Sequence, residues 1–187
     1  IDTSNTVGGK PIYYVRNADG DVIDAATNAG TVYLINCKNV TVKDLSLSGN
    51  DAGVYLWQTT NSRIENVQAT GNSTGIRLRN SSGNTLGGDQ RGNVASSNAY
   101  YGIWLEASGG NMLTGNTISQ NGSRGVFLKG ASNNTLTKNK ITDNVGHGVY
   151  LDGSSGNATY SNEFLYNNGN KQQAYVTGGS GNLFNHS

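Results

Sequence analysis

The chain has 187 residues and a formal net charge of +1, and only 34% of its residues are hydrophobic and 13% charged. This length is typical of one domain, and no stretch is long and apolar enough to predict a membrane span. The near-neutral charge, without a basic cluster, excludes nucleic acid and anionic membranes as expected partners. Low hydrophobicity without high net charge is unusual for a disordered chain, so we expect a repeating architecture rather than a thick apolar core.

Residues 1–30 form an N-terminal segment that lacks the repeat found in the rest of the chain. Two apolar runs, 11–15 and 21–23, flank the turn-like sequence Asn-Ala-Asp-Gly at 17–20. This pattern is typical of a β-hairpin. We therefore predict that a hairpin caps the open end of the sheets formed by residues 31–187.

Residues 31–187 contain a repeated strand motif in which an aromatic residue or an arginine lies between two mostly apolar residues. The motif begins at Val32, Val54, Ile76, Ile103, Val126, Val149 and Ala174, at intervals of 22, 22, 27, 23, 23 and 25 residues. Two further apolar positions recur in the same order, which gives three short strands per repeat. This pattern predicts an all-β fold, a right-handed parallel β-helix (solenoid) of about six three-faced coils.

Asparagine recurs in three columns at fixed offsets from these strands. One column is Asn84, Asn111, Asn134, Asn157 and Asn182; a second is Asn50, Asn72, Asn98, Asn121, Asn144 and Asn167; a third is Asn93, Asn116, Asn139 and Asn162. Because coils stack at about 4.8 Å, equivalent amides are close enough to hydrogen-bond to one another along the stacking axis. We expect these columns to form asparagine ladders at the turns.

One insertion lengthens the third repeat, at residues 87–92 with the sequence Gly-Gly-Asp-Gln-Arg-Gly. Insertions in solenoids leave the stack as loops on one face, and such loops often bind ligands. Asp89 and Arg91 are therefore candidate binding residues.

The middle residues of the strand motif should point outward, because side chains alternate along a strand and the flanking apolar residues point inward. They are Tyr33, Tyr55, Arg77, Trp104, Phe127, Tyr150 and Tyr175, with Trp57 beside them. An ordered row of aromatic side chains on a rigid wall is typical of a contact surface. It predicts binding of carbohydrate or of a neighbouring protein, including self-association, although cross-strand stacking alone would also stabilise the sheet.

Acid–base catalysis on sugars needs carboxylates that converge on one face. Glu106 and Asp152 share a column, and by the strand spacing they are two coils or about 9.6 Å apart, so they are weak catalytic candidates. The full column reads Arg79, Glu106, Lys129 and Asp152. Opposite charges one coil apart favour a salt-bridge ladder over an active site.

The sequence resembles the NosD-like, or CASH, parallel β-helix repeat domains that are common in surface and secreted proteins of methanogenic archaea. The likeness is closest at 1–7 (Ile-Asp-Thr-Ser-Asn-Thr-Val), 9–14 (Gly-Lys-Pro-Ile-Tyr-Tyr) and 39–42 (Asn-Val-Thr-Val), and the Gly-Asn-Thr and Gly-Val-Tyr-Leu patterns extend it over essentially the whole chain. This resemblance implies the β-helix fold and an extracellular or cell-surface location. The family includes sugar-binding, sugar-cleaving and sugar-epimerising members, so the resemblance names no single reaction.

The name of this family has been tied to copper, which prefers a compact cluster of His, Cys or Met ligands. The chain has His147, His186, Cys37 and Met112 scattered over different repeats, and it lacks the calcium-binding Gly-Gly-x-Gly-x-Asp pattern. The sequence therefore predicts no metal site and no cofactor.

Seven Asn-x-Ser/Thr sequons occur in the chain, at Asn39, Asn72, Asn80, Asn121, Asn133, Asn157 and Asn185. Asn72, Asn80 and Asn121 fall in predicted turns, where a glycan has room, and are the candidates for glycosylation.

Together these features favour a non-catalytic extracellular β-helix module of a cell-surface or secreted protein, which acts as a rigid, adhesive surface through its aromatic side chains. Two alternatives stay open. One is an enzyme acting on polysaccharide, a lyase, hydrolase or epimerase, that uses Glu106, Asp152 and the loop residues Asp89 and Arg91. The other is a subunit of an extracellular filament or surface array whose solenoid ends stack on one another.

Overall fold

The computed structural model describes residues 2–185, which fold into short β-strands and two 3₁₀ turns. In chain order the strands are β1 (Thr6–Val7), β2 (Lys10–Arg16), β3 (Val22–Ile23), β4 (Thr31–Ile35), β5 (Thr41–Lys43), β6 (Ser46–Leu47), β7 (Ala52–Trp57), β8 (Arg63–Glu65), β9 (Gln68–Thr70), β10 (Thr74–Arg79), β11 (Thr85–Gly87), β12 (Val94–Ser96), β13 (Tyr101–Glu106), β14 (Met112–Thr114), β15 (Thr117–Ser119), β16 (Val126–Lys129), β17 (Thr135–Thr137), β18 (Lys140–Thr142), β19 (Val149–Asp152), β20 (Ala158–Tyr160), β21 (Glu163–Leu165), β22 (Ala174–Thr177) and β23 (Leu183–Asn185). The 3₁₀ turns span Ala25–Thr27 and Asn167–Asn170.

These strands form three sheets that run the length of the molecule. A nine-stranded sheet has the order β1-β2-β4-β7-β10-β13-β16-β19-β22, an eight-stranded sheet has the order β23-β20-β17-β14-β11-β8-β5-β3, and a six-stranded sheet has the order β21-β18-β15-β12-β9-β6. A typical coil adds one strand to each sheet, and its strands pair in parallel with those of the next coil. The predicted all-β parallel β-helix is therefore confirmed.

The described residues form about eight coils, whereas the sequence predicted about six. At the N-terminal end, β2 pairs in parallel with β4 and β3 with β5, so residues 10–30 form a first coil. There Tyr13 lies opposite Val32, a spacing of 19 residues that is shorter than the later intervals. At the other end β22 and β23 pair with β19 and β20 and add a last coil.

The predicted hairpin between residues 11–15 and 21–23 is wrong, because these runs lie in β2 and β3, which belong to different sheets. An N-terminal hairpin is present slightly earlier in the chain. There residues 6–7 pair antiparallel with residues 10–11, and the glycine pair 8–9 forms the turn with φ values of 56° and 76°. Positive φ at both central residues is what a tight two-residue hairpin turn requires. Since β1 is the end strand of the nine-stranded sheet, this hairpin covers one edge of the first coil.

The core is a narrow stack of aliphatic side chains in three inward-facing columns. The nine-stranded sheet contributes Leu34, Leu56, Leu78, Leu105, Leu128 and Leu151, the eight-stranded sheet Val42, Ile64, Leu86, Leu113 and Leu136, and the six-stranded sheet Leu47, Ala69, Ala95, Ile118 and Ile141. The predicted apolar columns are thus the core. Burial of each Val, Leu or Ile side chain contributes about 1.5–3 kcal/mol relative to exposure.

The predicted asparagine ladders are present and largely buried, and Asn121 shows their geometry. Its Oδ1 accepts hydrogen bonds from the backbone N–H and the Nδ2 of Asn98, both at 3.0 Å. Its own Nδ2 donates to the Ala95 carbonyl oxygen at 3.1 Å and to Oδ1 of Asn144 at 2.8 Å. Each amide therefore links its coil to the coils on both sides and pairs backbone groups that burial would leave unsatisfied.

A fourth ladder consists mainly of hydroxyl side chains and was not predicted. The backbone N–H of Cys37 donates to Oγ1 of Thr59 at 3.3 Å, that of Thr59 to Oγ of Ser81 at 3.0 Å, and that of Ser81 to Oγ of Ser108 at 3.1 Å. A search for apolar and asparagine columns passes over these residues because Ser and Thr are common throughout the chain. At one turn of each coil these hydroxyl oxygens accept backbone hydrogen bonds from the preceding coil, as the asparagine amide oxygens do at the other turns.

Burial in the ladders corrects two of the three glycosylation candidates. Asn72 and Asn121 are buried, and their Nδ2 atoms donate to the carbonyl oxygens of Leu47 and Ala95. A glycan attached to either nitrogen would break the ladder at that coil. Asn80 is exposed at a turn with a φ of 49° and stays a candidate.

Replacing Asn121 by Ala is expected to lower the free energy of unfolding by about 2–4 kcal/mol, because buried groups of the neighbouring coils lose their hydrogen-bond partner. Urea unfolding followed by circular dichroism measures the change. The matched control is Gln68→Ala, which removes an exposed amide from β9 and should change the free energy by less than about 0.5 kcal/mol. Equal effects of the two substitutions would contradict the stabilising role of the ladder.

Candidate ligand-binding face

The outward-facing residues of the nine-stranded sheet form one continuous column. Tyr33, Tyr55, Arg77, Trp104, Phe127, Tyr150 and Tyr175 lie opposite one another on successive strands. Tyr14 on β2 pairs with Tyr33 and extends the column by one coil. Trp57 lies beside it, opposite Arg79. We call the eight side chains from Tyr14 to Tyr175 the aromatic column.

The rings of the aromatic column pack on one another, which covers much of their surface. The ring centroids of Trp104 and Phe127 are 6.0 Å apart with nearly parallel planes, and those of Phe127 and Tyr150 are 5.6 Å apart edge to face. Phe127, in the middle, is only 7% exposed, whereas Tyr175, on the last coil, is 38% exposed. The column is therefore a half-buried stack. A ligand would meet ring edges, hydroxyls and flanking side chains rather than a row of free, flat rings.

A second column lies beside the first, three residues earlier in each coil. Tyr101, Arg124 and His147 occupy equivalent positions at intervals of 23 residues. The Tyr101 ring lies 5.3 Å from the Trp104 ring, and the His147 ring stacks on Tyr175 at 5.2 Å. We call these three residues the flanking column. Inspection of the sequence missed it because its members share no residue type, and only their spacing relates them.

Two arginines insert among these rings. The guanidinium carbon of Arg77 lies 3.9 Å from the ring centroid of Trp104. That of Arg124 lies 4.0 Å from the ring centroid of Tyr150 and 4.7 Å from that of Phe127. Each cation–π contact contributes about 0.5–2 kcal/mol, depending on how far water is excluded. The aromatic and flanking columns together form what we call the aromatic–arginine face.

Glu106, one of the two weak catalytic candidates, is held by arginines. Its Oε2 lies 3.0 Å from Nη2 of Arg77 and 3.6 Å from Nε of Arg79. Asp152 lies two coils away in the same column. Within residues 2–185 neither Asp152 nor Lys129 forms an ion pair. The residues of the predicted charge ladder are therefore in register, but only Arg79 and Glu106 are joined by an ion pair. The two carboxylates thus keep the separation of two coils that the sequence predicts.

The loop at residues 87–92 is tied down by ion pairs of its two charged residues. Nη1 of Arg91 lies 3.5 Å from a carboxylate oxygen of Asp44 and 3.6 Å from one of Glu65. Nζ of Lys138 donates to Oδ1 of Asp89 at 2.9 Å, which raises the pKa of the Lys138 ammonium. Asp89 and Arg91 therefore anchor the loop to neighbouring coils, and the structure does not place them on the aromatic–arginine face.

Burial lowers the pKa of His147 below its usual value, and the positive charge of Arg124 lowers it further. On β4, burial and then the charge of Asp51 raise the pKa of the Tyr33 hydroxyl. At neutral pH His147 is therefore mainly uncharged and Tyr33 keeps its proton. The positive charge of the flanking column comes from Arg124.

The sequence model of the family described as periplasmic copper-binding protein (NosD) matches residues 3–187. The chain belongs to the NosD family. This confirms the resemblance seen in its residues. No curated protein matches it. Within residues 2–185, no helix is long and apolar enough to cross a membrane.

Solved structures similar to this NosD-family chain include three β-helix proteins that are each 18% identical to it. For a mutant of the periplasmic alginate epimerase AlgG, the TM-score is 0.59, with 81% of this chain and 44% of that chain covered. For the A-module of an Azotobacter vinelandii mannuronan C-5 epimerase, the TM-score is 0.61, with 94% of this chain and 56% of that chain covered. For an Arthrobacter chlorophenolicus DFA-IIIase without its lid and in complex with GF2, the TM-score is 0.64, with 84% of this chain and 42% of that chain covered. The chain spans about half the length of these structures, and the likeness shows the fold alone.

The copper in the description of the NosD family has no matching ligand cluster in residues 2–185. No group of three or more His, Cys, Asp or Glu side chains in that range is arranged to hold a metal ion. Cys37 is buried with its Sγ 3.4 Å from the Ile35 carbonyl oxygen, Met112 is exposed on the eight-stranded sheet, and His147 lies on the aromatic–arginine face. Copper needs such ligands gathered at one point. The remaining candidate copper ligand in the sequence, His186, lies outside the described residues.

Replacing Glu106 by Gln is expected to lower the free energy of unfolding by about 1–2 kcal/mol, because the half-buried guanidinium of Arg77 loses its charged partner. The control is Asp152→Asn in the same column, which removes a carboxylate that has no ion pair within the described residues and should cost less than about 0.5 kcal/mol. Urea unfolding midpoints compare the two proteins. If Glu106→Gln were as stable as the parent, the structural role of Glu106 would be wrong and its catalytic role would be favoured.

Proposed function

We propose that this chain is a non-catalytic extracellular β-helix module that binds glycans through its aromatic–arginine face. The observation that carries the proposal is the column of eight outward side chains in register from Tyr14 to Tyr175, seven of them aromatic. At about 4.8 Å per coil the column is about 34 Å long. A surface of this length fits an extended polymer better than a small molecule.

The chemistry of the face also favours a sugar polymer as the ligand. Tyrosine and tryptophan combine apolar rings with a polar edge, and guanidinium groups add hydrogen-bond donors. Sugar rings present the complement, with hydroxyls around a partly apolar ring. Because these side chains already pack on one another in the free protein, little conformational entropy is lost when a ligand orders them.

The extracellular location is supported by the family description, which places NosD in the periplasm. Two of the similar solved structures are named as epimerases of alginate or mannuronan. Their chemistry is not carried over to this chain, because they share only the fold with it. The ion pairs that hold Glu106 favour binding over acid–base catalysis on this face.

Replacing both Trp104 and Tyr150 by Ala is expected to weaken glycan binding at least tenfold, because it removes two of the contact rings and leaves the inward columns intact. A glycan array that includes neutral and acidic polysaccharides finds the ligand, and affinity electrophoresis measures the change. The control is Tyr160→Ala, which removes an exposed aromatic side chain from β20 on the eight-stranded sheet, away from the aromatic–arginine face. Unchanged binding by the double variant would contradict the proposal.

The same polysaccharides test the enzymatic alternative. Release of reducing ends or of unsaturated products by the parent protein, and its loss in Glu106→Gln or Asp152→Asn, would show a catalytic module. Binding without any change in the polymer supports the non-catalytic one.

A role as a filament or array subunit is the second candidate, in which solenoids associate end to end. Concentration-dependent light scattering of the parent distinguishes a self-associating subunit from a monomeric module.

A further inference from the structure

Arg124 is the one half-buried arginine without a carboxylate partner within residues 2–185. Arg63, Arg77, Arg79 and Arg91 each lie within 4 Å of an aspartate or glutamate oxygen. Arg16 also has no such partner there, but it is exposed on β2 and water solvates it. Arg124 is partly withdrawn from water and carries a full positive charge.

The guanidinium of Arg124 also has few hydrogen bonds for its capacity. It carries five N–H donors, and within the described residues its one side-chain hydrogen bond runs from Nη1 to the Tyr101 hydroxyl at 3.4 Å. The rings of Phe127 and Tyr150 contact the guanidinium group, but the rings do not accept the hydrogen bonds that its N–H groups offer. Donors with a fixed planar geometry are therefore left available at the surface of the face.

The groups around Arg124 suit an anionic sugar. Tyr100 is 59% exposed, and its ring lies 6.3 Å from that of Tyr101. His147 is on the next coil and is mainly uncharged at neutral pH because of its lowered pKa. Glu106, on the preceding coil, is bonded to Arg77 and so does not neutralise Arg124.

We propose that Arg124 binds the carboxylate of a uronate residue in a glycan lying along the aromatic–arginine face. The inference rests on the proposed function and adds the chemical class of the ligand. The planar guanidinium matches a carboxylate through two parallel hydrogen bonds. The Tyr101 hydroxyl and the exposed ring of Tyr100 flank the position at which the sugar ring would lie.

The test uses the whole chain and two matched sets of oligosaccharides. One set contains oligogalacturonate, oligomannuronate and oligoglucuronate, and the other contains the same oligosaccharides with their carboxyl groups reduced to alcohols. The parent is expected to bind at least one uronate at least tenfold more tightly than its reduced counterpart, and this preference should shrink in high salt. Isothermal titration calorimetry measures the dissociation constants.

Three variants test whether Arg124 causes the preference for the uronate over its reduced counterpart. Arg124→Met keeps the apolar contact with Tyr150 and should lose the preference for the uronate, whereas Arg124→Lys keeps the charge and should retain part of it. Arg63→Gln removes an exposed arginine from β8 on the eight-stranded sheet, away from the aromatic–arginine face, and should behave as the parent. Urea unfolding of each variant establishes that it is folded before binding is compared.

The outcomes separate the two proposals. If the parent bound the uronate and its reduced counterpart equally, and Trp104→Ala with Tyr150→Ala abolished both, the glycan-binding function would stand and the role of Arg124 would be wrong. A uronate preference that survived in Arg124→Met would also contradict that role. If neither set bound to the parent but another glycan of the array did, the glycan-binding function would stand and the uronate inference would be wrong. If no glycan of the array bound, both proposals would fail.

Discussion

The stacking of each coil directly on its neighbour is the constraint on which the rest of this structure depends. The apolar core is narrow, so much of the buried interior consists of backbone turns whose N–H and C=O groups need partners. The amide ladders provide them. Asn98, Asn121 and Asn144 each reach the coil before and the coil after, and they work only if every coil places its asparagine above the previous one. The ladder therefore fixes the register of the whole solenoid.

That register determines the aromatic–arginine face. Outward side chains are held one strand spacing apart, about 4.8 Å, which brings neighbouring aromatic rings into contact whatever their angle. The rings respond by tilting, as between Phe127 and Tyr150, or by lying nearly parallel at a slant, as between Trp104 and Phe127. At the one coil where the column has no ring, Arg77 occupies the gap and stacks on Trp104. Stabilisation of the sheet and presentation of a contact surface are thus properties of the same side chains.

The sequence was sufficient to predict the features in which a fixed spacing coincides with a recurring residue type. The three strands of each coil, the asparagine ladders and the order of the aromatic column follow from fixed offsets, and the structure has them as expected. Features that depend on the reach of a side chain were missed. Within residues 2–185 the predicted ladder of Arg79, Glu106, Lys129 and Asp152 has an ion pair only between Arg79 and Glu106. The long side chain of Arg77 reaches across from the next column and forms the shorter ion pair with Glu106. The first coil was missed for a different reason, because its 19-residue spacing falls outside the later period.

Arg77 and Arg124 show why stability alone does not account for the face. Both arginines stack on aromatic rings, at 3.9 Å and 4.0 Å from the nearest ring centroid. Arg77 also has Glu106, so its charge is balanced within the fold. Within residues 2–185 the Arg124 side chain has one hydrogen bond, to a neutral hydroxyl. Withdrawing a charge from water without a charged partner costs free energy that a cation–π contact of about 0.5–2 kcal/mol only partly offsets. An aromatic or aliphatic residue at this position would pack on Tyr150 without that cost. The guanidinium of Arg124 is therefore better explained by the hydrogen-bond donors that it presents to a ligand than by its contribution to the stability of the aromatic stack.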